Sequence, residues 1–164
     1  MSFLSAALFL TYGGGFISTD EMYLFDATES LVRRGNLQLN LTTSLRSIMP
    51  LDSEPMQVVA AAPLFWVVER LPGVGMVHGM LVFNNLVTSA TAGLLFFYAL
   101  ALGYGPAAAL ALGLLFGLVT IVWPYSKTFF REPLLSFFLL LSAYAVERWR
   151  RAFAAGTTGW RWLG

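Results

Sequence analysis

No cysteine occurs among the 164 residues, which excludes disulfides, thiolate catalysis and cysteine-ligated metals. A single histidine, His78, gives no basis for a histidine-rich metal site. Charge is scarce: 12% of the residues are Asp, Glu, Lys or Arg, against about 25% in soluble domains. The net charge of +1 implies no bulk electrostatic partner. A nucleic-acid role has no support, because neither a basic stripe nor a zinc spacing is present. The opening segment has no basic residue ahead of its apolar run and no small-residue cleavage site after it. It therefore reads as a transmembrane helix rather than a cleavable signal.

What is plentiful is apolar surface. Hydrophobic residues make up 57% of the chain and the mean hydropathy is +0.69, the composition of an integral membrane protein. The pattern predicts spanning helices near 1–18, 76–102, 106–123 and 133–149, an all-α polytopic transmembrane bundle. Pro106 and Pro133 stand at helix starts, where a missing N–H costs nothing, and "LGYGP" (102–106) is a tight turn. Residues 56–71, "MQVVAAAPLFWVVERL", are apolar but short, carry Pro63 and end in Glu69-Arg70. The preferred reading is a re-entrant or interfacial helix, so that 19–75 forms an external loop with surface helices. Arg148, Arg150, Arg151 and Arg161 follow an apolar helix and predict a cytoplasmic tail.

Between the first two spans lies "STDEMYLFDATESLVRRG". At 100° per residue Tyr23, Leu24, Phe25, Ala27, Thr28, Leu31 and Val32 share one broad face, with Asp26, Glu29 and Arg33 opposite. Ser18 and Glu21 fit a capping box, Glu29–Arg33 is a favourable i,i+4 pair, and Gly35 is a good stop. The expectation is an amphipathic juxtamembrane helix over 20–34, lying on the membrane surface. Asp20 and Glu21 at its start fit two readings. Acids favour helix N-termini by about 0.3–1 kcal/mol. A carboxylate at the water–lipid boundary can also act as a general base.

A second constellation is "WPYSKTFFREP" (123–133). As an interfacial anchor, Trp123 and Tyr125 belong to an aromatic belt and the cations meet lipid phosphates. As a site, Lys127 and Arg131 clamp an anionic head group, with Glu132 as a second acid. Asn84 and Asn85 fall inside a predicted span, where amides usually bond between helices. Gly113 and Gly117 form a GxxxG match, a close-packing face. The Asn40-Leu41-Thr42 sequon is frequent by chance.

These stretches, together with "AAAPLFWVVERL" and "NNLVTSATAGLLFFYALALGYGPAAALALGLLFGLVTIVW", resemble the N-terminal part of bacterial GT-C glycosyltransferases. Those are polytopic enzymes similar to protein O-mannosyltransferases and the lipid A aminoarabinose transferase. The resemblance implies inverting transfer of a sugar from a polyprenyl-phosphate carrier to an acceptor hydroxyl at the external face of the cytoplasmic membrane. By the same analogy Asp20 is the base with Glu21 beside it, and Glu132 is the second acid. Lys127, Arg131, Tyr125 and, more weakly, Arg33 and Arg34 contact the donor. A divalent metal is left open, since the need for one varies across the superfamily. Family members carry many more helices, so the expectation is a fragment of a longer protein. The other reading is a non-enzymatic polytopic protein or part of a lipid or polysaccharide transporter. An enzyme brings Asp20 and 127–132 to one cavity at a membrane face, whereas a carrier keeps its polar groups near the midplane.

Overall fold

The computed structural model describes residues 2–10, 15–39, 49–50 and 55–154, and these are mostly helical. In chain order the elements are α1 (Ser2–Leu10), α2 (Thr19–Arg34), β1 (Gln38–Leu39), β2 (Met49–Pro50), α3 (Met56–Val68), α4 (Met76–Ala101), α5 (Pro106–Val119), α6 (Val122–Tyr125) and α7 (Glu132–Ala154). The two strands pair antiparallel, Gln38 opposite Pro50 and Leu39 opposite Met49. The sequon at Asn40 lies outside the described residues.

The all-α expectation holds, and α4 runs as expected, but the expected spans 1–18 and 106–123 are cut short and the expected span 133–149 is longer, as α7. Among the described residues one helix, α4, is long and apolar enough to cross a membrane by length and composition. The predicted helix 1–18 does not run to 18. Residues 15–17 are not helical, because Ser18 takes an extended conformation and caps the next helix. The predicted helix 106–123 breaks at Thr120, which is also extended. Its hydroxyl donates back to the Phe116 carbonyl and accepts from the Val122 N–H, so it ends α5 and starts α6. At 14 residues α5 is about 21 Å long, short of a ~30 Å hydrocarbon core. The last helix is 23 residues long but carries Glu132, Glu147, Arg148, Arg150 and Arg151. It continues through the arginine cluster that was expected to be a tail, held by ion pairs from Arg150 and Arg151 to Glu147 one turn back.

Helix α2 forms as expected and ends on Gly35 at φ 68°, whose N–H closes onto the Leu31 carbonyl. Its apolar face is not left free for lipid. Leu24 and Ala27 pack with Val58, Ala61 and Phe65 of α3 and with Met80, Leu81 and Phe83 of α4, forming the larger core. Arg33 pairs with Glu29 on its own helix and with Glu69 beyond α3 at 2.7 Å, fastening the pair. At 13 residues α3 is about 20 Å long, too short to cross. Its other face, with Met56, Val59, Trp66 and Val67, is exposed.

A smaller core joins Leu4 and Leu8 of α1 to Ala92 of α4, backed by Phe116 and Leu118. Helix α5 is apolar all round, yet it buries only Ala109, Gly113 and Gly117, a stripe at i, i+4 and i+8. A Cβ on Gly113 would lie 2.9 Å from the Ala92 carbonyl oxygen, and one on Gly117 would lie 2.7 Å from Leu4. The GxxxG match is therefore a close-packing face. Because the Gly113 obstacle is backbone, Gly113→Leu is expected to push α5 off α4 and destabilise by about 1–3 kcal/mol. Ala111→Leu, on the exposed side, is the control. Thermal unfolding of the purified protein checks this, and equal midpoints for the two variants would refute the tight contact.

Candidate functional site

The acidic start of α2 and the segment between α6 and α7 meet inside the larger core. Glu21 makes the junction. Its side chain is wholly buried, with Oε2 accepting the Phe129 N–H at 2.9 Å and Oε1 accepting the Ile17 N–H at 3.2 Å. Local sequence explains the second bond. Ser18 caps α2 by accepting the Asp20 N–H at 3.2 Å, and the acid at the third helical position reaches back over the cap. In the usual capping box it would return to the cap's own N–H. Here it reaches one residue further and spends its second oxygen on a segment 108 residues away.

Two amides hold the same segment from the other side. Asn84 Nδ2 donates to the Thr128 carbonyl at 2.8 Å and to the Phe130 carbonyl at 2.6 Å. Gln57 Nε2 donates to Asn84 Oδ1 at 3.3 Å and to the Phe129 carbonyl at 3.5 Å. The turn is further fixed from within, where the hydroxyls of Ser126 and Thr128 donate to the Trp123 and Tyr125 carbonyls. Three helices, through Glu21, Gln57 and Asn84, thus satisfy the backbone of 128–130. Gln57 Oε1 is buried without a hydrogen-bond partner among the described residues.

The functional candidates divide around this junction. Asp20, one residue before Glu21, is exposed. Among the described residues its carboxyl group accepts no hydrogen bond. Lys127 is half-buried with Nζ 5.1 Å from the Trp123 ring centre. The Tyr125 ring packs 6.0 Å from Phe130. Arg131 and Glu132 are exposed and line a cleft of about 570 Å³ whose other walls are Met56, Gln57, Leu134, Leu135 and Phe138. That cleft has charged groups at the start of α7 and apolar walls beyond. Arg33 and Arg34 are not among its described lining residues. Arg33 is held by Glu29 and Glu69 and lies over Phe65, and Arg34 donates to the Ser30 hydroxyl and the Gln38 carbonyl. Among the described residues no three His, Asp or Glu side chains cluster as metal ligands.

No family model, curated protein or solved structure matches the chain. The site therefore rests on its own geometry. Gln57 is the member that the sequence reading passed over. Its one signal is a lone amide in the apolar run "MQVVAAAPLFWVV", and a polar group there needs a buried partner. Asn84 was expected to bond another helix. It does so through Gln57, and it spends its donors on the loop.

Proposed function

We propose that the chain is part of a membrane glycosyltransferase of GT-C type. It moves a sugar from a polyprenyl-phosphate carrier to an acceptor hydroxyl at the external face of the membrane. The observation that carries this reading is the Glu21–Phe129 bond, which fastens the Asp20–Glu21 pair to the segment bearing Lys127, Arg131 and Glu132. An acid that can take a proton and cations that can meet a leaving phosphate are what such a transfer needs at one place. The cleft beside Arg131 adds apolar walls of a kind that suit a lipid carrier. Exposed Leu110, Leu115 and Val119 on α5 and Leu135, Leu139 and Val146 on α7 support a bilayer setting for helices otherwise too apolar for water.

In this reading Asp20 removes the acceptor proton, Lys127 and Arg131 hold the phosphate, Glu132 is the second acid and Glu21 positions the two segments. The carrier alternative predicts polar groups free in the middle of the bundle. Three mid-helix polar side chains of α4 spend their bonds within the fold, while Thr88 Oγ1 is buried with no partner among the described residues. Ser89 accepts from Ser5 at 2.8 Å, Thr91 donates to the Val87 carbonyl, and Asn84 holds the loop. The test is donor binding in lipid nanodiscs. A basic residue near a charged membrane surface is worth about 1 kcal/mol, so Lys127→Gln with Arg131→Gln is expected to weaken polyprenyl-phosphate binding about 30-fold. Unchanged binding at low salt would assign both residues to head-group anchoring and remove the donor site.

A further inference from the structure

A second anionic site lies away from the acidic junction, between the C-terminal ends of α4 and α7. The last turns of α7 carry Glu147, Arg148, Arg150 and Arg151 within five residues. Glu147 is buried and organises two of the arginines. Arg150 forks onto both its oxygens, at 2.9 and 2.8 Å, while Arg151 gives it only Nε, at 2.6 Å. The two terminal amino groups of Arg151 make no hydrogen bond among the described residues. Arg148 and Arg151 are three residues apart and so share a helix face. Together with Ala101 at the end of α4 and Ala152, they line a cavity of about 290 Å³. Ala101 on the α4 side, and Arg148, Arg151 and the small Ala152 on the α7 side, give a lining that suits a compact anion with several acceptor oxygens.

The surroundings indicate what carries that anion. On the next face of α7, Trp149 and Phe153 stack at 5.9 Å and are 55% and 67% exposed. Exposed Val146 and Leu141 continue down α7, exposed Phe97 lies one turn before Ala101 on α4, and exposed Leu102 directly follows Ala101. An aromatic pair at the level of the arginines, with apolar side chains running away from it, matches the order of a lipid molecule: phosphate, glycerol, then acyl chain. We propose that Arg148 and Arg151 form a binding site for the phosphodiester of an anionic phospholipid, whose chains lie along the exposed apolar sides of α4 and α7. Glu147 acts as a positioning residue by holding the Arg151 Nε, which leaves the end of the fork for the phosphate. This inference rests on the chain lying in a bilayer and not on its being a transferase.

Native mass spectrometry of the protein taken from nanodiscs containing phosphatidylglycerol and phosphatidylcholine tests it. The wild type is expected to retain phosphatidylglycerol preferentially. Arg148→Gln with Arg151→Gln is expected to lower that retention by about tenfold or more, two basic contacts being lost. Arg150→Gln, which removes the cation committed to Glu147, should lower it far less. Inorganic phosphate at millimolar concentration should not displace the lipid; displacement would make this a free-phosphate site and overturn the lipid assignment. Equal retention of the two lipids, or a double variant that keeps the preference, would also overturn it. Circular dichroism guards against misfolding, and Arg148→Lys with Arg151→Lys, which keeps charge without the fork, should retain an intermediate amount. Donor binding at Lys127 and Arg131 should not change in any of these variants, so the two proposals fail separately.

Discussion

Asp20→Asn is expected to reduce sugar transfer by about 10²–10⁴-fold, the usual worth of a positioned general base. The fold should be nearly unaffected. Asp20 is exposed and its own N–H is already satisfied by Ser18. Its carboxyl group accepts no hydrogen bond among the described residues, so no hydrogen-bond network among them depends on it. Removing the charge gives up only its attraction to the α2 N-terminus, about 0.3–1 kcal/mol at most. Initial rates with a lipid-linked sugar, set beside thermal midpoints, separate the two effects. A variant that keeps the full rate would show that some other group takes the proton.

Glu21→Ala is expected to do the opposite, damaging stability directly and activity only as a consequence. The Glu21 side chain is wholly buried and supplies the acceptor for two backbone N–H groups. Ile17 is exposed and can turn to water for its partner. Phe129 is buried and cannot. A buried donor left without a partner costs about 1–3 kcal/mol, and the vacated volume adds to it. A loss of about 2–4 kcal/mol is therefore expected, large against a typical stability of about 5–15 kcal/mol. Glu21→Gln should fall between the variant and the wild type. One amide oxygen can replace one carboxyl oxygen, but the NH₂ group would then meet a second donor. Denaturant titration with urea checks the order. If Glu21→Gln matched the wild type in stability while abolishing transfer, Glu21 would be the reacting acid and Asp20 its neighbour.

The sequence by itself determined the helical class, the position of α4 and the limits of α2. These follow from local rules. Ser18 and Gly35 cap α2, Pro106 and Gly105 start α5, and an unbroken apolar run defines α4. The close-packing role of Gly113 was also legible, because only small residues recur there at helical spacing. The length of α5 was not legible. A hydropathy run does not register that Thr120 can bond to its own backbone and end a helix.

The relation between Asp20 and Glu21 was decided only by tertiary structure. Adjacent acids at a helix start look alike in sequence, but they point about 100° apart. One direction leads to solvent. The other leads to Phe129, a partner 108 residues away that no local pattern announces. The same holds for Gln57 and Asn84, whose value lies in carbonyls of a distant turn. The covered face of α2 belongs here too. Its amphipathicity predicted an apolar partner, and either a bilayer or α3 satisfies that equally well by period alone. Packing chose α3, because Leu24 and Ala27 find Phe65 and Ala61 there, with Arg33 closing the edge onto Glu69.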